Sequence, residues 1–157
     1  MAQTTDATIT INARETSTVG DRALQDRTAI SQKFTFLDAT GALGCPKVYS
    51  DRRTLNTTTE NLDLSGSLET GLGTAVALTK LRLLAIRWNG AGTLTVDGGV
   101  TNGASTVLDG SVTLGAGGVF VIVDPTAAGL AITATTVDLL TLTSTGAGTY
   151  DVVIGGE

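Results

Sequence analysis

The chain contains no histidine. Ser-His-Asp and Cys-His catalysis both use an imidazole base, and imidazole is also the commonest transition-metal ligand, so those chemistries are excluded at the start. Cysteine occurs once, as Cys45. A lone thiol forms no internal disulfide and no zinc site, and beside Pro46 it reads as a small buried or half-buried side chain with no base to activate it. Aromatic residues make up only 4%, too few for a platform that stacks sugars or single-stranded nucleic acid. Charged residues are 16%, with 10 basic against 15 acidic and a net charge of -5. Phosphate backbones are held by clustered Lys and Arg, so nucleic acid is not an expected partner. No apolar run reaches the roughly 20 residues of a membrane helix, and no N-terminal segment resembles a signal peptide. The expected setting is therefore a reducing cytosol, with neither membrane, metal nor cofactor.

What the chain has in abundance is threonine, glycine and β-branched aliphatics. Threonine, valine and isoleucine suit a pleated, half-buried surface, and glycine supplies turns. At 157 residues one domain is expected. Val119-Phe120-Val121-Ile122-Val123, opened by Gly117-Gly118 and closed by Asp124-Pro125, reads as a strand covered on both faces. Around it lie shorter strand-like stretches. Lys33–Leu37 places Phe34 and Phe36 on one face, and Asn61–Leu64 alternates. Lys80–Trp88 has leucines at helical spacing, yet its length and the Asn89-Gly90 turn favour a strand. Thr93–Val96, Val107-Leu108, Leu130–Thr133, Asp138–Thr143 and Thr149–Ile154 follow at near-regular spacing. Tyr150, Val152 and Ile154 share one face of the last. Ser65–Thr74, with three glycines, reads as a loop. The expected fold is all-β, an antiparallel β-sandwich or jelly roll over residues 32–157.

Residues 1–31 are different. They are polar and mixed in charge, with only Ile9 and Ile11 in strand alternation. They read as an extended arm or an added edge strand, with a short helix over Asp21–Ser31 as the alternative. Charge is also uneven along the chain. All Lys and Arg lie at or before Arg87, where 10 basic and 9 acidic residues leave +1. Beyond it, Asp97, Asp109, Asp124, Asp138, Asp151 and Glu157 give −6. A face built from residues 88–157 is expected to be smooth, weakly negative and suited to packing on another subunit.

Candidates for chemistry are thin. Asp97, Asp109 and Asp124 end strands, and two carboxylates across a cleft can hydrolyse a glycoside. Asp-Gly and Asp-Pro are also ordinary turn dipeptides, and that reading is preferred. The stretch Asp97–Asn102 does not follow an EF-hand spacing, so a calcium site is not expected. Gly115–Gly118 precedes a strand, where phosphate loops follow one. The remaining candidates are contact residues: Arg14, Arg22, Arg27, Arg52, Arg53, Arg87 and Trp88. Tryptophan and arginine concentrate at interface hot spots, while a core tryptophan at a strand end is the competing reading of Trp88.

Four stretches together carry a resemblance: Leu62-Asp63-Leu64-Ser65-Gly66-Ser67-Leu68, Leu84-Ala85-Ile86-Arg87, Gly117–Pro125 and Gly148-Thr149-Tyr150-Asp151-Val152-Val153-Ile154-Gly155. Over residues 33–157 the chain resembles a family of small virion structural proteins of tailed bacteriophages. The resemblance implies a non-enzymatic protein present in many copies on the particle. A capsid decoration (cement) protein that binds the major capsid protein and stabilises the head lattice is the first expectation. The protein would be a homo-oligomer such as a trimer, made in the host cytoplasm. A tail-associated or fibre-base protein that helps attach to the host is the alternative.

Overall fold

The computed structural model describes residues 4–19, 22–66, 68–69 and 75–157, the side chains of 14–28 excepted. Among these residues the strands are β1 Thr4–Val19, β2 Arg22–Leu37, β3 Lys47–Asn56, β4 Thr59–Asp63, β5 Leu68–Glu69, β6 Ala75–Val76, β7 Lys80–Gly90, β8 Leu94–Asp97, β9 Ser111–Leu114, β10 Val119–Val123, β11 Leu130–Ala131, β12 Leu139–Ser144 and β13 Ala147–Gly156. No helix is present among the described residues. The fold is all-β, and every strand ladder is antiparallel.

Two sheets form the body. One runs β10-β7-β13-β3, with β11 pairing β7 beside β10, and the other runs β4-β12-β8-β9. They pack face to face as a sandwich. The inner face of the first sheet follows from its registers: Ile122, Leu84, Ile154 and Tyr49 lie in one row, and Phe120, Ile86 and Val152 in the next. Leu62, Leu94, Val96, Leu140 and Leu142 face them from the second sheet, all fully buried. Lys80–Trp88 is a strand because its two neighbours, β10 and β13, satisfy both of its hydrogen-bonding edges. An isolated segment with the same leucines would lack that constraint. The last strand alternates as expected, with Tyr150, Val152 and Ile154 buried.

Trp88 is wholly buried and stands beside Tyr150 in the ladder. Its ring lies across Gly90 and Gly148, whose missing side chains leave the space that it fills. The core reading of Trp88 is therefore the observed one, and the exposed-anchor reading is corrected.

β1 and β2 form a separate two-stranded ribbon, paired from Thr4↔Leu37 to Val19↔Arg22. At roughly 3.3 Å per residue its 16-residue strands span about 50 Å. Strand β2 runs unbroken across residue 31, so the arm and the Phe34/Phe36 segment are one element. The helix considered for Asp21–Ser31 is overturned from Arg22 onward, because these residues continue the ladder; Asp21 lies outside the described residues. Among the described side chains, those of the ribbon that pack on the body lie at its base. Phe36, Cys45 and Leu83 form a small buried cluster there, with Ala7, Phe34, Val48, Val123 and Val153 packed on it. Among the described residues, none of the ribbon belongs to the main core.

Four further expectations need correction. Val119–Val123 is the end strand of its sheet, not a strand covered on both faces, and its Val119 and Val121 are 57% and 40% exposed. Residues 88–157 build no single face, because β8, β9 and β12 lie in one sheet and β10 and β13 in the other. Val107-Leu108 is a turn in which Val107 and Leu108 donate to the Ala104 carbonyl. Of Ser65–Thr74, expected as a loop, Leu68–Glu69 instead forms β5 paired with β6, and residues 67 and 70–74 lie outside the described residues.

Gly148→Ala would put a methyl 2.7 Å from the edge of the Trp88 ring. Overpacking of this kind costs about 1–3 kcal/mol. Equilibrium unfolding in denaturant is expected to show that loss, and an unchanged midpoint would contradict the packing described.

Candidate interaction surface

The outward face of the first sheet carries the candidate contact residues Arg52 and Arg87. Three of its rows are ordered by register. Val123, Leu83, Gly155 and Val48 lie under the base of the ribbon. Val121, Ala85, Val153 and Ser50 come next, and then Val119, Arg87, Asp151 and Arg52. The ribbon covers the first row and overhangs the second. Between them is an open groove of about 210 Å³ lined by β1 residues Thr5–Ile9 with Leu83, Ala85, Val121 and Val153.

The third row is polar by design of the ladder. Arg52 Nε donates to Asp151 Oδ1 at 2.5 Å, and Asn89 Nδ2 donates to Asp151 Oδ2 at 2.8 Å. These donors hold the Asp151 carboxyl below its ordinary range, with Arg52 the main cause. Arg87, opposite Asp151 in the ladder, is exposed. Two arginines thus flank one carboxylate, and exposed valine borders them.

The ribbon's own faces differ in the same way. Directly paired residues share a face, so Thr5/Phe36, Ala7/Phe34, Ile9/Gln32 and Ile11/Ile30 form one side. Along it exposure rises from 0% at Phe36 to 55% at Ile11 and 56% at Ile30. The other side is polar, with Thr35 Oγ1 and Lys33 Nζ both bonded to Asp6.

The remaining candidates fall elsewhere. Arg53 does not join Arg52, because successive residues of a strand point to opposite faces. It lies over the Tyr49 ring, donates to the Tyr49 hydroxyl at 3.0 Å and is paired with Glu60 on β4. Tyr150 donates to the same Glu60 at 2.8 Å, and burial followed by this carboxylate raises the phenol's pKa. Arg53 is therefore a clasp between the two sheets. Arg14, Arg22 and Arg27 stand in the distal ribbon, at positions opposite Arg27, Val19 and Arg14; their side chains lie outside the described residues.

Asp97 and Asp124 each accept from the backbone N–H two residues on, Gly99 and Thr126, so the turn reading of both holds. Cys45 is buried in the small cluster, and that burial pushes its thiol up to about 11, which leaves it inert at neutral pH. One ionic site escaped sequence reasoning. Arg82 is 0% exposed and donates to Glu157 Oε1 at 2.5 Å and to the Ala127 carbonyl at 3.1 Å. Lys80 and the Gly41 N–H also bond to Glu157. The partners lie 75 residues apart, so no local pattern announces them. Comparison with protein-family models, curated proteins and solved structures finds no match to this chain.

The Gly41 N–H, then Arg82, hold the Glu157 carboxyl down from the ordinary 4.5 to about 2. A lowered carboxylate stabilises the fold above its unfolded pKa, and that contribution is lost as pH falls from about 4.5 to about 2. Glu157→Gln is expected to cost about 3 kcal/mol at pH 7, since Arg82 is left buried without its counter-charge. Its stability should also vary less with pH across that acid window. Parallel pH dependences for variant and wild type in chemical denaturation would refute the pairing.

Proposed function

We propose that the chain is a non-enzymatic structural protein of a tailed-bacteriophage particle, most simply a capsid decoration protein that binds and stabilises the assembled head. The observation that carries this reading is the ribbon. A two-stranded hairpin alone is marginal in water and needs further strands or a packed face. Here a ribbon of about 50 Å packs on the body through its base, and among its described side chains Ile11 and Ile30 are exposed beyond it. Such an element makes sense when neighbouring subunits complete it. Strands β3/β13, β4/β12, β7/β10 and β8/β9 pair in nested order, and this supports reading the body as a jelly roll, a common building block of particle shells.

The likeness of residues 33–157 to small virion proteins supports the same class of role. A subunit that binds only the assembled lattice stabilises it by mass action, and many weak contacts acting together give a strong one. The net charge of -5 disfavours contact with the packaged genome.

Quantitative mass spectrometry of purified particles tests the reading. A head protein is expected at hundreds of copies, and deletion of residues 1–30 should remove it from particles while far-ultraviolet circular dichroism stays β-type. A handful of copies would move it to the tail. Absence from particles would overturn the proposal.

A further inference from the structure

We infer that the distal β1–β2 ribbon of one copy docks across the outward face of the first sheet of a second copy, so that copies of this chain exchange ribbons. This goes beyond the particle reading and does not depend on it, since a head or a tail subunit would associate in the same way.

Exposed apolar side chains are the starting point. Among the described residues the exposed large hydrophobics are Ile11, Ile30, Leu37, Val100, Val119 and Val121. Four of these six form two patches. Ile11 and Ile30 are directly paired on the ribbon face that, nearer its base, is buried against the body. Val119 and Val121 project from the outward face of β10, at the edge of the sheet that this base covers. Each patch is thus a continuation of an existing ribbon-on-sheet contact. In one copy the ribbon base already holds its place on Leu83 and Val123 and overhangs Val121, while Ile11, Ile30 and Val119 each stay more than half exposed. A second copy offers each the surface that it lacks, and the contact reuses the packing of Phe34 and Phe36 on the sheet.

Charge and spacing agree with this occupant. Four residues beyond Ile11 the register sets Glu15 opposite Asp26. Like charges at opposed positions weaken a ribbon standing alone. Along the strand the step from Ile11 to Glu15 is about 13 Å. Across the sheet the row Val119, Arg87, Asp151, Arg52 covers three strand spacings, about 14 Å. A ribbon crossing these strands with Ile11 at Val119 brings its acidic pair of positions to Arg52. There two arginines outnumber one aspartate. A nucleic acid would meet the net charge of -5 instead, and an apolar small molecule would leave the acidic positions unanswered.

Sedimentation of the purified full-length chain over a concentration series, with cysteine cross-linking, tests the exchange. The wild type is expected to associate. Ile11→Asp, Val119→Asp and Arg52→Glu should each weaken association at least about tenfold with unchanged circular dichroism. Mixing Ile11→Cys with Val119→Cys protein under oxidation should give a cross-linked dimer that neither forms alone; Cys45, 2% exposed, stays out of the reaction. A wild type that is monomeric throughout, variants that associate like wild type, or a mixture that does not cross-link would each overturn the inference. Such a failure leaves the particle reading standing, since copy counting decides that separately.

Discussion

Strands β7 and β13 pair over nearly their whole length, from Gly148↔Gly90 to Gly156↔Leu81. Strands β10, β11 and β3 pair with these two, and the second sheet packs on their inward face. The pair's inward side chains, Leu84, Ile86, Trp88, Tyr150, Val152 and Ile154, are at most 1% exposed and form the centre of one wall of the core. Burial of each such side chain stabilises the fold by about 1.5–3 kcal/mol. The pair's outward side chains meet a different condition. At one end they lie beneath Phe34 and Phe36, and at the other Arg87 and Asp151 stand in a row with Arg52 of β3. One pair of strands therefore determines both the interior and the surface available to partners.

Much of this was legible in the residue order. Alternation in Thr149–Ile154 and Asn61–Leu64, with Gly and Asp corners between, specifies antiparallel strands, because side-chain direction has a period of two. The turn expected at Asn89-Gly90 is displaced: both residues continue β7, opposite Thr149 and Gly148, and the chain bends at Ala91-Gly92, where Gly92 takes a positive φ of 69°. What periodicity does not carry is the place of a strand within its sheet. Val119–Val123 has the composition of a central strand, yet it sits at an edge, and lateral order is set by long-range pairing. The four consecutive buried residues Leu81–Leu84 break alternation for a related reason. The register shifts at Gly155/Gly156 beside them, and the ribbon base covers the outer side.

The surface was less legible still. Arg52 and Arg53 look alike in sequence, but one strand step sends the first to the outward row and the second to the clasp with Glu60. Trp88 beside Arg87 has the residue types of a contact anchor and is instead a core residue, for the same reason. The polar stretch before residue 31 hides a ribbon, since a hairpin with no core of its own needs no apolar alternation beyond its base. Arg82 with Glu157 was invisible, as only the completed sheet brings them together.

The account's central claim is that the body is self-sufficient while the distal ribbon is completed by other subunits. Amide hydrogen exchange measured on dilute and on concentrated protein tests this most directly. The account predicts strong protection of β7 and β13 at both concentrations, with residues 8–32 exchanging fast when dilute and becoming protected on association. Protection of residues 8–32 equal to that of β7 in the dilute monomer would contradict it.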